Sequence, residues 1–367
     1  MLPLPPEARK VSPYLVFFLI ITTQIGVGIL GFERYIAKPA GYDAWISILI
    51  SGLSVNLIIW MTYYILNKGN NDITVIHKDL FGKWIGGILS LLFAAYMVLM
   101  FITVLRTYIE IIQIWMFPQL QTWYMALIMA ITVWLYVVGG FRVLVGLCVL
   151  SFFITLPLLL LKGFAFKSLQ LSYLFPILDS SAKELLAASK IMSINYTGFE
   201  VIFFCYPFIK NAPRSQKWAQ YGVFFTTFVY VITALISFMY FSHGQLEKTV
   251  WATLTLWKIV DFPFLERFEY FGISLWFFTI LPNLCLYLWA ATRGLKQLFS
   301  IKQKHSLTLL LFIGSTAALF FKDRLQIDQL NTLTGSASFF ILYAYIPFIF
   351  LCQLMKKRSN KNSGNQF

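Results

Sequence analysis

The chain has 367 residues, 59% hydrophobic and only 12% charged, with a mean hydropathy of +0.74. A soluble domain carries about a quarter charged residues, so this composition excludes a soluble globular protein and leaves lipid as the solvent for most of the chain. The net charge of +14 would suit nucleic acid in a soluble protein, but here Lys and Arg lie almost entirely between apolar runs, where they orient a chain in a membrane, and no nucleic-acid partner is expected.

Residues 1–10 hold three prolines and end on Arg9-Lys10. The apolar run that follows is too long for the h-region of a signal peptide, so 1–10 reads as a cytoplasmic tail. Ten runs are then long enough to span about 30 Å of hydrocarbon at about 1.5 Å per helical residue. They lie near 12–36, 43–66, 84–112, 122–139, 142–162, 185–209, 217–241, 265–291, 305–321 and 335–355. Together they predict one all-α transmembrane domain over 11–355, followed by a cytoplasmic tail over 356–367. The cluster Lys356-Lys357-Arg358 reads as a stop-transfer signal and lipid anchor.

With the N-terminus inside, 17 of the 29 Lys and Arg fall on the cytoplasmic side, and Arg106 lies within the third span. Both termini are therefore expected inside. Only the connections 163–184 and 242–264, both outside, are long. The second carries Glu247, Lys248, Trp251, Trp257, Lys258 and Asp261, and is expected to form a helix lying on the membrane surface.

Two spans are interrupted. The first reads TTQIGVGILGF over 22–32, with Gly26, Gly28 and Gly31 in mid-run; each glycine loosens a helix by about 1 kcal/mol relative to alanine. The sixth reads SINYTGFE over 193–200, a glycine and then an acid inside an otherwise uncharged stretch. Gly26 and Gly198 stand half a chain apart, which predicts two five-helix repeats, about 11–162 and 185–355, with the second inverted. Unwound backbone survives in lipid only around a cavity, because its N–H and C=O groups need partners. Half-helix N-termini attract a carboxylate and freed carbonyls attract an ammonium, so two facing breaks suit a zwitterion such as an amino acid. The expected ligand contacts are Gln24, Gly26, Val27 and Gly28 in the first break and Tyr196, Thr197, Gly198, Phe199 and Glu200 in the second. The bulk of Ile25, Val27, Tyr196 and Phe199 favours an uncharged ligand side chain. The alternative is that both glycine clusters merely permit close helix packing.

The segments QIGVGILGFERYIAKPAGYDAWISILISG (24–52), FGKWIG (81–86), YTGFEVIFFCYPFI (196–209) and FLERFEYFGISLW (264–276) resemble the B subunits of the GerA-type spore germinant receptors, within the amino acid/polyamine/organocation superfamily. The resemblance runs from about 11 to 355. It implies a ten-helix, inverted-repeat, leucine-transporter-like fold in the spore inner membrane. It also implies two partners, an A subunit with a membrane region and a C subunit lipoprotein, and a nutrient-sensing role. Tyr96 and Met100 resemble positions that line the family's ligand pocket. One departure stands at Ile280-Leu281-Pro282-Asn283, where family members often carry small hydroxyl residues.

Glu200 is the sharpest candidate: it can receive a ligand ammonium or hold the break open by accepting backbone N–H bonds, or it can serve packing alone. Arg106 and Glu110, spaced i,i+4, form either an intrahelical pair or a gate. Thr279 and Asn283, also i,i+4, can line the cavity or bond their own helix. Glu266, Arg267 and Glu269 are expected to cap and orient the eighth span. Cys148, Cys205, Cys285 and Cys352 lie in separate apolar runs, and His77, His243 and His305 fall in or beside connections, so neither a disulfide framework, a metal site nor a cofactor is expected. No nucleophile–base constellation points to an enzyme. The reading is a membrane receptor subunit for an amino-acid-like germinant; the alternatives are a proton- or ion-coupled amino acid transporter of the same fold, or a scaffold with a vestigial pocket.

Overall fold

A computed structural model of the chain describes residues 5–260 and 267–363, with side chains to residue 356. Among these residues the regular structure is helical, apart from a parallel bridge between Val11 and Ile209. The expected run 12–36 forms α1 (Leu15–Gln24) and α2 (Phe32–Ala40), separated by a break. The second run forms α3 (Ala44–Gly69), which stops where Asn70 turns left-handed at φ 46°. α4 (Ile73–Trp115) starts well before the expected position 84, because Asp72 caps it by accepting the Val75 N–H at 3.3 Å; it bends at Gly82, whose φ of 77° leaves the helical region. α5 (Thr122–Val138) and α6 (Phe141–Leu160) follow as expected.

The expected sixth span is split into α7 (Ala182–Met192), which begins with a Ser181/Glu184 capping box, and α8 (Ile202–Cys205). α9 (Gln216–Tyr240), α10 (His243–Lys248) and α11 (Ala252–Trp257) come next. α12 (Phe268–Phe299) runs through Pro282, then α13 (Gln303–Phe320) and α14 (Arg324–Phe340), which passes through a wider turn at Ile341–Tyr345 into α15 (Ile346–Ser363). Glu266 and Asp261 lie outside the described residues, as do the side chains of Lys357 and Arg358.

Six stretches among the described residues are long and apolar enough to cross a membrane: Phe32–Gly69, Ile73–Trp115, Phe141–Ser168, Ala212–Tyr240, Phe268–Phe299 and Arg324–Lys356. α1, α5 and the stretch Phe199–Phe208 are shorter apolar helices. α12 forms the middle of the bundle and packs on α4 and α6, while α1 packs on α9 and α6. Large apolar side chains such as Leu53, Leu135, Phe228 and Phe312 are more than half exposed. In water so many would be an aggregation hazard; in lipid they are ordinary contacts. The chain is a multi-pass membrane protein.

The connection after α9 differs from the expected surface helix. α10 and α11 are short, and Trp251, Ala252, Leu254, Leu256 and Trp257 are buried. Trp257 meets Trp276 of α12 with ring centroids 5.5 Å apart. A helix on a membrane surface needs one polar face, and α11 is apolar on several sides, so it is covered by protein instead. Arg267 and Glu269, at the start of α12, do pair at 3.1 Å, with Glu269 buried in the first turn where the helix dipole favours an acid.

Candidate ligand site at two unwound segments

The first break begins where Ile25, after the end of α1, leaves the helical region (φ −99°, ψ 94°). A short turn over Gly28–Leu30 follows, and α2 begins at Phe32. Gly26, Val27 and Gly28 are half-buried, whereas Gln24, Ile25 and Ile29 on either side are buried. The N–H groups of Gly26 and Val27 have no hydrogen-bond partner among the described residues. The carbonyls are better provided for: Tyr230 Oη donates to Gln24 O at 2.8 Å and Trp276 Nε1 to Gly26 O at 3.3 Å. The close approach of the loop before α11 explains Gly31, where a Cβ would lie 2.4 Å from Val250 O.

The second break runs from Ser193 to Val201, and it touches the first. Gln24 Nε2 donates to Tyr196 O at 3.0 Å, and Asn195 lies so close to Gly28 that a Cβ there would be 2.1 Å from its Oδ1. Gly198 sits at φ 100°, a left-handed conformation that favours glycine, and a Cβ on it would lie 2.8 Å from Thr23 O. That turn aims the Gly198 N–H at Glu200, whose Oε2 accepts it at 2.5 Å. Glu200 Oε1 accepts from Tyr96 Oη at 3.0 Å, and Glu200 is fully buried. Thr197 bonds back to Ile194 O at 2.7 Å; Tyr196 donates to Thr227 Oγ1 at 3.0 Å, and Phe199 is fully buried.

Tyr96 begins a polar seam between α4 and α14. Its hydroxyl also meets Ser338 Oγ at 3.0 Å, and the Ser338 hydroxyl lies 3.8 Å from Met100 Sδ. Further along, Thr103 meets Thr334 at 2.7 Å and Thr107 donates to Asn331 Oδ1 at 3.2 Å. The seam ends in an ion cluster: Arg324 pairs with Glu110 at 2.7 Å and Asp328 at 2.8 Å, and donates to Tyr35 of α2 at 2.9 Å. Arg106 and Glu110 share a face of α4, yet they do not pair with each other. Arg106 donates instead to the carbonyls of Phe321 and Lys322 at 2.6 and 3.2 Å, at the turn between α13 and α14. The intrahelical pair expected from i,i+4 spacing loses to partners on α14 and its preceding turn because these approach both side chains in a buried setting.

Thr279 and Asn283 lie on the α12 face toward the breaks. Asn283 Nδ2 bonds Thr279 O at 3.0 Å, the self-satisfied arrangement, but stands 3.6 Å from the position of a Cβ on Gly26. Thr279 Oγ1 meets Thr155 of α6 at 2.7 Å beside a cavity of about 10 Å³, room for about one water. The breaks approach each other closely at Gly28 and Asn195, and the first lies against α12 at Gly26 and Asn283.

A second buried polar cluster was not legible in the sequence. Glu33 of α2 is fully buried; its Oε1 accepts from Ser237 at 2.9 Å and Thr253 at 2.7 Å, and Thr253 in turn accepts from Lys162 Nζ at 2.8 Å. Among the described residues Glu33 Oε2 and Gln24 Oε1 are buried without a partner. Glu33 reads in sequence as one of several charges at the end of a span, and only its place under the α11 segment reveals its burial.

A family profile described as "Spore germination protein" matches residues 10–327. Spore germination protein GerQB of Bacillus cereus is 44% identical over 354 residues, covering 96% of this chain and 98% of the relative. Spore germination protein B2 of Bacillus subtilis (strain 168) is 25% identical over 362 residues, covering 95% and 97%. Among solved structures, MhsT in complex with L-phenylalanine aligns at a TM-score of 0.59 and 13% identity over 93% of this chain and 98% of that one, so the two share a fold. The chain belongs to the spore germination protein family, on the side of the B subunits of GerA-type germinant receptors whose motifs it carries.

Proposed function

We propose that this chain is the nutrient-sensing subunit of a spore germinant receptor. It binds a small amino-acid-like germinant between the two breaks and passes the change to A and C partner subunits in the spore inner membrane. In this reading ten spans form two inverted repeats, 11–162 and 185–355, between short cytoplasmic tails. The observation that carries it is the meeting of two unwound segments, joined by Gln24 and Tyr196, with the Gly26 and Val27 N–H groups unpartnered beside them. Those two donors, at a half-buried position, suit a ligand carboxylate. Glu200 is the group that ties occupancy to movement: it exchanges the Gly198 N–H or the Tyr96 hydroxyl for another partner when the site fills. The Arg324 cluster, joining α2, α4 and α14, is the gate on the side away from the N-terminal segment.

A fold shared with a protein solved in complex with L-phenylalanine supports an amino acid ligand, and supports equally a second reading, a proton- or ion-coupled amino acid transporter. The first test is a germinant screen on spores in which this subunit replaces its counterpart in a receptor of known specificity. The expected result is a transferred amino acid specificity, lost when the carboxylate of that amino acid is esterified. A specificity that stays with the other subunits would overturn the sensing role. Uptake of the same amino acid into proteoliposomes would favour the transporter; binding without uptake favours the receptor.

A further inference from the structure

On the face that carries the N-terminal segment, away from both breaks, lies a cavity of about 490 Å³. This is the size of a small-molecule site. Its walls come from the N-terminal segment, the turn between α5 and α6, Phe208 after α8, the end of α12 and the start of α13. Five cationic side chains line it, Arg9, Arg142, Arg293, Lys296 and Lys304, and no carboxylate does.

Those charges are poorly compensated. Arg142 donates to the Ala8 carbonyl at 2.8 Å, and Lys304 lies over the Trp134 ring at 5.0 Å. Among the described residues the one carboxylate within ion-pair distance of the five is Asp72, 3.7 Å from Arg293 and already capping α4. Arg293 is only 7% exposed, stacks over Phe208, and keeps a buried Nε with no partner. A general excess of Lys and Arg on one face follows from membrane orientation. That excess does not account for a buried guanidinium with an unused donor in the wall of a cavity, since burying such a group without an acceptor is costly. Apolar side chains complete the lining, among them Phe141, Trp289 and Leu307.

We propose that this cavity binds a phosphate-bearing anion, with Arg293, Lys296 and Lys304 holding the phosphate and Arg142 linking it to the N-terminal segment. The two sources of that chemistry are the headgroup of an anionic phospholipid, whose glycerol and first methylenes would lie on the apolar lining residues, and a soluble phosphate. Occupancy would tie α12, α13 and the α5–α6 turn to the N-terminal segment. The site is separate from the germinant reading and does not depend on it.

The test is thermal unfolding of the purified full-length protein in a neutral detergent. It is titrated in parallel with phosphatidylglycerol, with phosphatidylcholine and with inorganic pyrophosphate. Phosphatidylglycerol or pyrophosphate, but not phosphatidylcholine, should raise the melting temperature saturably; which of the two does so identifies the source. Lys296→Gln with Lys304→Gln should raise the half-saturating concentration about 30-fold, at about fivefold for each cation removed. Lys68→Gln with Lys83→Gln, an equal loss of charge at exposed positions outside the cavity, should leave it unchanged. Lys304→Gln alone serves if the double variant does not accumulate. Absence of a saturable shift with either anion, or an equal loss in the Lys68/Lys83 variant, would overturn the proposal.

Discussion

The two breaks are unwound alike but closed differently. In the second, Gly198 turns its N–H onto Glu200 and Tyr96 of α4 donates to the other carboxylate oxygen, so both oxygens of the acid in the middle of the apolar run have protein partners. The first break is left unfinished, with two backbone donors and the Gln24 Oε1 acceptor unused. A buried polar group is normally paired, and each unpaired one costs about 1–3 kcal/mol. The difference therefore assigns separate tasks. The second break is a latched turn whose geometry stability depends on, and the first is the half of the pair with bonding capacity to offer.

Substitutions break this contrast with effects on stability that should fall in a set order. Gly198→Ala should be the most damaging, by about 2–5 kcal/mol, because the residue is left-handed and a Cβ would meet the Thr23 carbonyl, a backbone atom with little freedom to move. Membrane protein level and melting temperature check it; wild-type values for both would remove the latch from the account. Glu200→Gln should cost about 1–3 kcal/mol. One amide oxygen can still accept the Gly198 N–H, and the amide nitrogen can donate to Tyr96, which then donates to Ser338. The protein should accumulate but need far more germinant, read from subunit level and dose–response on the same spores. Normal level with an unchanged dose–response would leave the acid without a role.

Tyr96→Phe should cost less, about 1 kcal/mol, since it removes a single hydroxyl shared between Glu200 and Ser338. Its dose–response should shift in the same direction as that of Glu200→Gln, and in the double variant the two shifts should not add. Additive shifts would place the two groups in independent networks. Gly26→Ala should change stability least, by less than about 0.5 kcal/mol, because a Cβ there finds Asn283 Nδ2 at an ordinary contact distance of 3.6 Å. It should nonetheless abolish the response, as alanine favours closing the helix over the two free donors. A Gly26→Ala spore that germinates normally would turn the contrast around and leave the first break a packing device.

Much of the architecture was legible from the chain. Backbone in hydrocarbon must satisfy itself, so the apolar runs had to be helices, and the helices over 43–66, 122–139, 142–162, 217–241 and 305–321 lie close to where length and charge put them. The breaks at Gly26 and Gly198 were legible from mid-run glycines at matching places in the two halves, although Gly222 and Gly314 show that a mid-run glycine also serves close helix packing. Glu200 stood out as an acid with no neighbouring charge. The α4 start at Asp72 was less visible, because a capped helix carrying His77, Lys78 and Asp79 reads as a connection.

What the sequence by itself determined is the solvent of this protein, its helical class and the two places where its helices are interrupted, all of which follow from local composition against the cost of unpaired backbone in lipid. What only the tertiary structure decided is who partners whom. Arg106 and Glu110, neighbours on one face, turn to the α13–α14 turn and to Arg324; Lys162 and Glu33, distant in sequence, share Thr253; five separate cations close around one cavity. Polar side chains in a low-dielectric interior take whichever donor or acceptor the packing brings within about 3 Å, and that distance is set by helices from opposite ends of the chain rather than by spacing along it.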